Sequence, residues 1–276
     1  MKMMILAAGL IAIAAPVQAT SPFDGVWIWD AASTELSSKP DVYQLGSDHF
    51  RCASCPSPYE LPADGKPYPV VGQSVFDAAA VTVESPQRVR LTTTKGGKSA
   101  MQIIFTLAPG NMELSTDISD LSSGTAVTSR VISQRVANAV VGEHALSGSW
   151  RQTRIEAASE SATTVRLKVT RTSVAFSDPS GFQYDARFDG RDYPVSGVAV
   201  GRTVRVRRTS DSSFEETQKQ DGKIVSVISL TVDPNRKTAR YVFQDRVEGV
   251  TTRGTLNKQQ PDPVGKTTKA REELAP

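Results

Sequence analysis

Tyr59-Glu60-Leu61-Pro62-Ala63-Asp64-Gly65-Lys66-Pro67-Tyr68-Pro69-Val70-Val71-Gly72 and Tyr184-Asp185-Ala186-Arg187-Phe188-Asp189-Gly190-Arg191-Asp192-Tyr193-Pro194-Val195-Ser196-Gly197 are one phrase written twice, 125 residues apart and without a gap. The same offset pairs Gly97-Lys98 with Gly222-Lys223, Thr106 with Thr231 and Pro109 with Pro234. A duplication in register predicts two copies of one fold. The shared residues are mostly turn formers, so they speak to architecture more than to purpose.

Around this phrase the periodicity is that of strands. Thr164 to Thr170 alternates apolar and polar, which sends Val165, Leu167 and Val169 to one face and Arg166 and Lys168 to water. Thr203 to Arg207 alternates in the same way. Further strands are expected near Gly25–Asp30, Val81–Glu84, Val89–Thr93, Ala100–Leu107 and Gly124–Val136. In the second copy they are expected near Gly148–Arg154, Phe182–Phe188, Phe214–Gln218, Ile224–Val232, Ala239–Gln244 and Thr251–Asn257. Asp64-Gly65, Asp189-Gly190 and Asp221-Gly222 read as type I′ hairpin turns. Short strands joined by such turns, with no helical stripe of any length, predict an all-β protein. Its two tandem domains would be antiparallel β-barrels or strongly curled sheets. Each copy opens on Gly-x-Trp, at Gly25-Val26-Trp27 and Gly148-Ser149-Trp150, where an indole would plug the closed end of a small barrel.

The ends and the composition bound the rest. Lys2, the apolar run Ile5 to Pro16 and Val17-Gln18-Ala19 read as a signal peptide over residues 1–19. The run is too short for a membrane-spanning helix, which needs about 20 residues. The expected plan is then a first β repeat over 20–138, a linker over 139–145, a second repeat over 146–260 and a solvated tail over 261–276. With 39% hydrophobic and 22% charged residues the chain is globular in type, and a net charge of +3 argues neither for nor against a polyanionic partner. Export to the periplasm or beyond is the expectation, with no nucleic-acid partner and no transmembrane segment.

The Gly-x-Trp opening followed by about eight antiparallel strands resembles the lipocalins and their calycin relatives. That resemblance implies a later arginine packed on the indole, for which Arg130 and Arg253 are the candidates. The second phrase, with the basic strand Thr203–Arg208, the Asp221-Gly222-Lys223 hairpin and Thr231-Val232-Asp233-Pro234 after it, also resembles a group of exported bacterial two-repeat β-proteins. This likeness runs over nearly the whole chain. It implies fold and compartment and no activity.

Few residues suggest chemistry. Cys52-Ala53-Ser54-Cys55 is the sole cysteine pair, and its counterpart Ser177–Ser180 has no thiol. In an exported protein the favoured reading is a structural disulfide. The alternatives are a metal site with His49 and Asp48, and redox chemistry, against which Pro56 and Pro58 argue by opposing a following helix. Arg202, Arg205, Arg207 and Arg208, with Arg166, Lys168 and Arg171, could make a basic face for an envelope polyanion, or could be paired by Glu215 and Glu216. His49 and His144 are the only histidines. No nucleophile elbow, phosphate loop or zinc motif is present. No cofactor, metal or catalytic residue is assigned.

The expected function is therefore non-enzymatic: a small apolar or amphipathic molecule held inside a barrel, with Tyr59, Tyr68, Tyr184 and Tyr193 at its rim or lining. A cell-envelope structural or interaction protein with filled barrels is the alternative, and a periplasmic hydrolase or isomerase a more distant one. A void of several hundred Å³ would separate the first two.

Overall fold

The computed structural model describes residues 21–73, 75–122, 126–137, 143–197, 201–247 and 249–260. The expected signal peptide and tail lie outside the described residues, as do residues 139–142 of the linker. In chain order the strands of the first part are β1 (Gly25–Glu35), β2 (Asp41–Leu45), β3 (His49–Cys52), β4 (Tyr59–Pro62), β5 (Tyr68–Pro69), β6 (Ala78–Ser85), β7 (Arg88–Lys95), β8 (Lys98–Leu107), β9 (Glu113–Asp120) and β10 (Val127–Ala137). Those of the second are β11 (Gly148–Ala158), β12 (Thr164–Val169), β13 (Ser173–Ser177), β14 (Gln183–Arg187), β15 (Tyr193–Pro194), β16 (Arg202–Ser210), β17 (Ser213–Gln220), β18 (Lys223–Val232), β19 (Thr238–Asp245) and β20 (Val250–Lys258). One helical turn, α1 (Glu160–Thr163), follows β11 and is capped by Ser159, whose side chain accepts from the Ala162 amide.

The strands form two ten-stranded antiparallel sheets, each curled into a nearly closed barrel. Barrel one runs β4-β3-β2-β11-β10-β9-β8-β7-β6-β5, and barrel two runs β14-β13-β12-β1-β20-β19-β18-β17-β16-β15. The all-β fold and the tandem barrels read from the alternation are thus present, with ten strands in each instead of eight.

The opening strands are exchanged. β1 begins the first sequence repeat but lies between β12 and β20. β11 begins the second repeat but lies between β2 and β10. Neither stretch 20–138 nor stretch 146–260 therefore closes a barrel with its own strands. The exchange is seated by the two indoles. Trp27 and Trp150 are fully buried, and each donates its ring N–H to a backbone carbonyl four residues back, Phe23 at 2.7 Å and Leu146 at 2.8 Å.

A cation covers each indole from the neighbouring strand. The Arg135 guanidinium sits 4.0 Å from the Trp150 ring centroid, and the Lys258 ammonium 5.1 Å from that of Trp27. Arg135 also donates to the carbonyls of Asn111 and Ser147, both at 2.7 Å, and of Ala145. This corrects Arg130 and Arg253, which instead pair with Asp117 and Glu35. Arg135 and Lys258 share the offset of 123 that relates the two Gly-x-Trp openings, but each covers the indole of the other repeat.

The repeated phrase closes the barrels. β5 and β15 are two-residue Tyr-Pro strands at the sheet edge, where a proline, lacking an N–H, is tolerated. In barrel two the free edges meet through Gln183 and Ser196, which exchange backbone hydrogen bonds of 3.2 and 2.9 Å. In barrel one the Ser57 hydroxyl donates to the Gly72 carbonyl at 3.0 Å, and the Gln73 amide donates to the Ser57 carbonyl at 2.6 Å.

Asp221-Gly222 has positive φ at both residues, 50° and 80°, as a type I′ turn requires. Asp64-Gly65 and Asp189-Gly190 do not, since only their glycines are positive. Their aspartates accept instead from the backbone N–H two residues on, Lys66 and Arg191, each at 3.0 Å. These are Asx corners, and the type I′ expectation fails there because the carboxylate offers the backbone a better partner.

Candidate functional site

Alternation along β17 sends Phe214, Glu216 and Gln218 inward together. Opposite them, β18 and β19 direct Leu230, Ile228, Tyr241 and Phe243 to the same interior. At one end Phe23 and Trp27 fill the barrel, with the Phe23 and Phe214 rings 5.2 Å apart. Beyond this plug a cavity of about 380 Å³ remains, walled mostly by apolar side chains. Ala162 and Thr163 of α1 contribute to its wall, so the single helical turn borders the cavity.

Two polar groups of the wall are spent on each other. The Trp29 ring N–H donates to the Tyr241 hydroxyl at 2.6 Å, and Thr34 lies 3.3 Å from the same oxygen. Gly254, paired across the sheet with Tyr241, makes room for this ring: a Cβ there would stand 2.7 Å from it.

Among the described residues, the one charged side chain in this wall is Glu216. It is buried, and its two carboxylate oxygens accept from the Tyr184 hydroxyl at 2.5 Å and from the Gln218 amide at 2.6 Å. Gln218 in turn accepts from Arg202 at 3.1 Å. No ion pair reaches Glu216 among the described residues. Burial raises the Glu216 pKa above the ordinary glutamate value, partly offset by its two donors, and burial likewise raises the Tyr184 phenol, assisted by the Glu216 charge.

The sign of the linkage follows. A carboxyl whose folded-state pKa is raised binds its proton more tightly in the native state than when unfolded. Its contribution to stability is complete below the unfolded value of 4.5 and is lost as pH rises through the folded one. We expect Glu216→Gln to gain stability relative to the wild type as pH rises above 4.5, read as the difference between the two urea midpoints across a pH series. A difference that is flat or of opposite slope would show that Glu216 titrates normally.

The four tyrosines expected at the rim or lining of a barrel are dispersed. Tyr184 is buried and stacks on Phe176 at 5.4 Å, and its hydroxyl reaches the cavity wall at Glu216. Tyr59 occupies the matching place in barrel one, among Phe50 and Phe76, where burial pushes its pKa up to about 12. Tyr68 and Tyr193 sit on the edge strands with their hydroxyls tied to Asp64 at 2.9 Å and Asp189 at 2.7 Å, so they hold the corner of the repeated phrase.

Cys52 and Cys55 form a disulfide, which removes both thiols from the metal alternative. Closing so short a loop stabilises by about 2 kcal/mol at most. His49 is exposed and pairs with Asp48 at 3.0 Å.

The basic face of β16 is largely paired. Arg205 and Lys219 both reach Asp192, at 2.9 and 2.7 Å, and Arg207 reaches Glu215 at 3.2 Å. Arg208 donates to the Thr170 carbonyl at 2.6 Å and lies over the Phe188 ring. Glu216, expected as a second partner of this face, points the other way because it follows Glu215 on a strand of period two.

No helix among the described residues is long and apolar enough to cross a membrane. No family model matches the chain, and no match is found among curated proteins.

Proposed function

We propose that this is an exported, lipocalin-like binding protein whose second barrel holds a small apolar molecule. The observation that carries the reading is the 380 Å³ cavity bordered by the α1 turn, walled mostly by apolar and aromatic side chains with Glu216 as its one charged group among the described residues. Ligand sites have this composition: a largely apolar wall with a few placed polar groups, of a few hundred Å³. Export is supported by the leader-like residues 1–19 and by the disulfide, which persists in oxidising compartments. The cavity wall carries one carboxylate and no histidine, which favours binding over hydrolysis.

A structural role suits barrel one better. Its interior holds the contacting rings of Tyr43, Phe50, Tyr59, Phe76 and Phe105, and Gln152 stands where Trp29 stands in barrel two. We read barrel one as the packed partner and barrel two as the receptor.

The test is a titration with a neutral apolar dye, N-phenylnaphthylamine, followed by its emission. Wild-type protein should bind it with roughly micromolar affinity. Ile228→Trp, which fills the void with an indole, should weaken binding by about tenfold or more while the far-ultraviolet spectrum keeps its strand character. Equal binding by the variant would place the dye elsewhere, and no binding by the wild type would remove the reading. Native mass spectrometry of protein purified from its own host should show a co-purifying molecule lost from Ile228→Trp.

A further inference from the structure

Glu216 is a stability cost that the fold does not require. At the register-equivalent place in barrel one stands Leu91, paired across the sheet with Val81 as Glu216 is with Val206. Leu91 packs in a closed apolar core, so the same barrel forms without a carboxylate there. Replacing a buried leucine by a glutamate costs solvation free energy that two neutral donors return only in part.

The arrangement of donors says what is missing. Each carboxylate oxygen offers two lone pairs, and each has one protein donor, from Tyr184 or Gln218. Gln218 is itself committed at both ends, between Glu216 and Arg202. The indole N–H of Trp29 is spent on Tyr241. The capacity left on Glu216 itself is therefore acceptor capacity, and a guest that completes it brings a donor and a positive charge. The guanidinium of Arg202, whose Nε has no partner among the described residues, is turned to Gln218 and makes no ion pair with Glu216.

Resting on the cavity reading above, we infer that barrel two selects apolar molecules bearing a protonated amine, with Glu216 receiving the ammonium and the aliphatic and aromatic wall receiving the body. An ammonium in this place completes the lone pairs of Glu216 and turns an isolated buried charge into an ion pair. Barrel one, with Leu91, has no such receptor for a cation.

The experiment compares decylamine, decanol and decanoate at neutral pH by their effect on tryptophan emission, since Trp29 lines the cavity while Trp27 and Trp150 are fully buried. Wild-type protein should bind decylamine roughly tenfold more tightly than decanol, as expected of one hydrogen bond to a charged group, and decanoate least tightly. Glu216→Leu, which copies barrel one, should remove the preference for the amine while keeping decanol binding, and this retained binding reports that the barrel is intact. Glu216→Gln should remove most of the preference with less change of shape, and it decides the matter if the leucine variant does not fold.

Equal affinity for all three molecules, tightest binding of decanoate, or an amine preference that survives both substitutions would overturn the inference and leave the cavity reading standing. Failure of all three to bind would remove the cavity reading itself, and the amine selectivity with it.

Discussion

Trp150→Ala is expected to unfold the barrel built from β2 to β10, although Trp150 lies in the second sequence repeat. The substitution empties an indole-sized volume in a fully buried site, which costs about 3–5 kcal/mol. It also strips the cation–π partner from Arg135, whose guanidinium then covers a void. Such a loss is a large share of the stability of a domain this size, roughly 5–15 kcal/mol. The measurement is amide hydrogen exchange. Protection should fall in β2–β10 and persist in β12–β20, and Trp27→Ala should give the mirror pattern. If Trp150→Ala instead exposed the amides of β12–β20, the exchange of opening strands would be refuted. A further consequence is that each repeat supplies one strand to the other's barrel: removing β1 deprives barrel two of the strand between β12 and β20.

This exchange also marks where reading the sequence stops. Alternation at Thr164–Thr170 correctly foretells that Leu167 and Val169 are buried and Arg166 and Lys168 exposed, because the pleat alone decides it. The offset of 125 foretells two like barrels, because copied turns build copied corners. Yet nothing local in Gly25-Val26-Trp27 distinguishes pairing with β2 from pairing with β12. Both repeats present the same edge, so the partner is set by tertiary geometry. The four-residue β3 and the five-residue β2 escape notice for a different reason, since they are too short for alternation to stand out beside the turn formers of residues 46–58.

The same limit governs the site. Tyr184 is found by the repeat, but Glu216 is not, because Glu215-Glu216 looks like a charged pair for the arginines of β16. One signal was available. Subtracting 125 from Glu216 gives Leu91, and from Gln218 gives Thr93. A position that is apolar in one copy and acidic in the other is a departure from a duplicated core, whereas the phrase that matches best, from Tyr59 to Gly72 and from Tyr184 to Gly197, closes the barrel seam. In a duplicated chain the shared residues report the fold, and the residues that break the likeness report what one copy came to do.

The seam itself supplies the second large effect. Gly197 has φ of 78°, and a Cβ added there would stand 1.9 Å from the Gly181 carbonyl oxygen and 2.2 Å from its carbon. These are backbone atoms and cannot rotate away, so Gly197→Ala must part the edges that Gln183 and Ser196 join. We expect a loss of about 3 kcal/mol or more. Gly190, with φ of 77° and nothing within 4 Å of its added Cβ, isolates the backbone term, and Gly190→Ala should cost about 1 kcal/mol. Gly72→Ala should fall between them, because of its two obstacles Ser57 Oγ at 2.6 Å can rotate away, whereas Ser57 Cβ at 2.7 Å moves only with its backbone and stands farther off than the atoms met at Gly197. Urea unfolding midpoints of the three variants give the order directly, and a Gly197→Ala variant no less stable than Gly190→Ala would show that barrel two is not closed at this point. The loss should reach the cavity as well. Tyr184 follows Gln183 on β14 and holds Glu216 through its hydroxyl, so parting the seam releases one of the two donors that fix the carboxylate. Decylamine affinity in Gly197→Ala should therefore fall further than decanol affinity, whereas Gly190→Ala should leave their ratio unchanged.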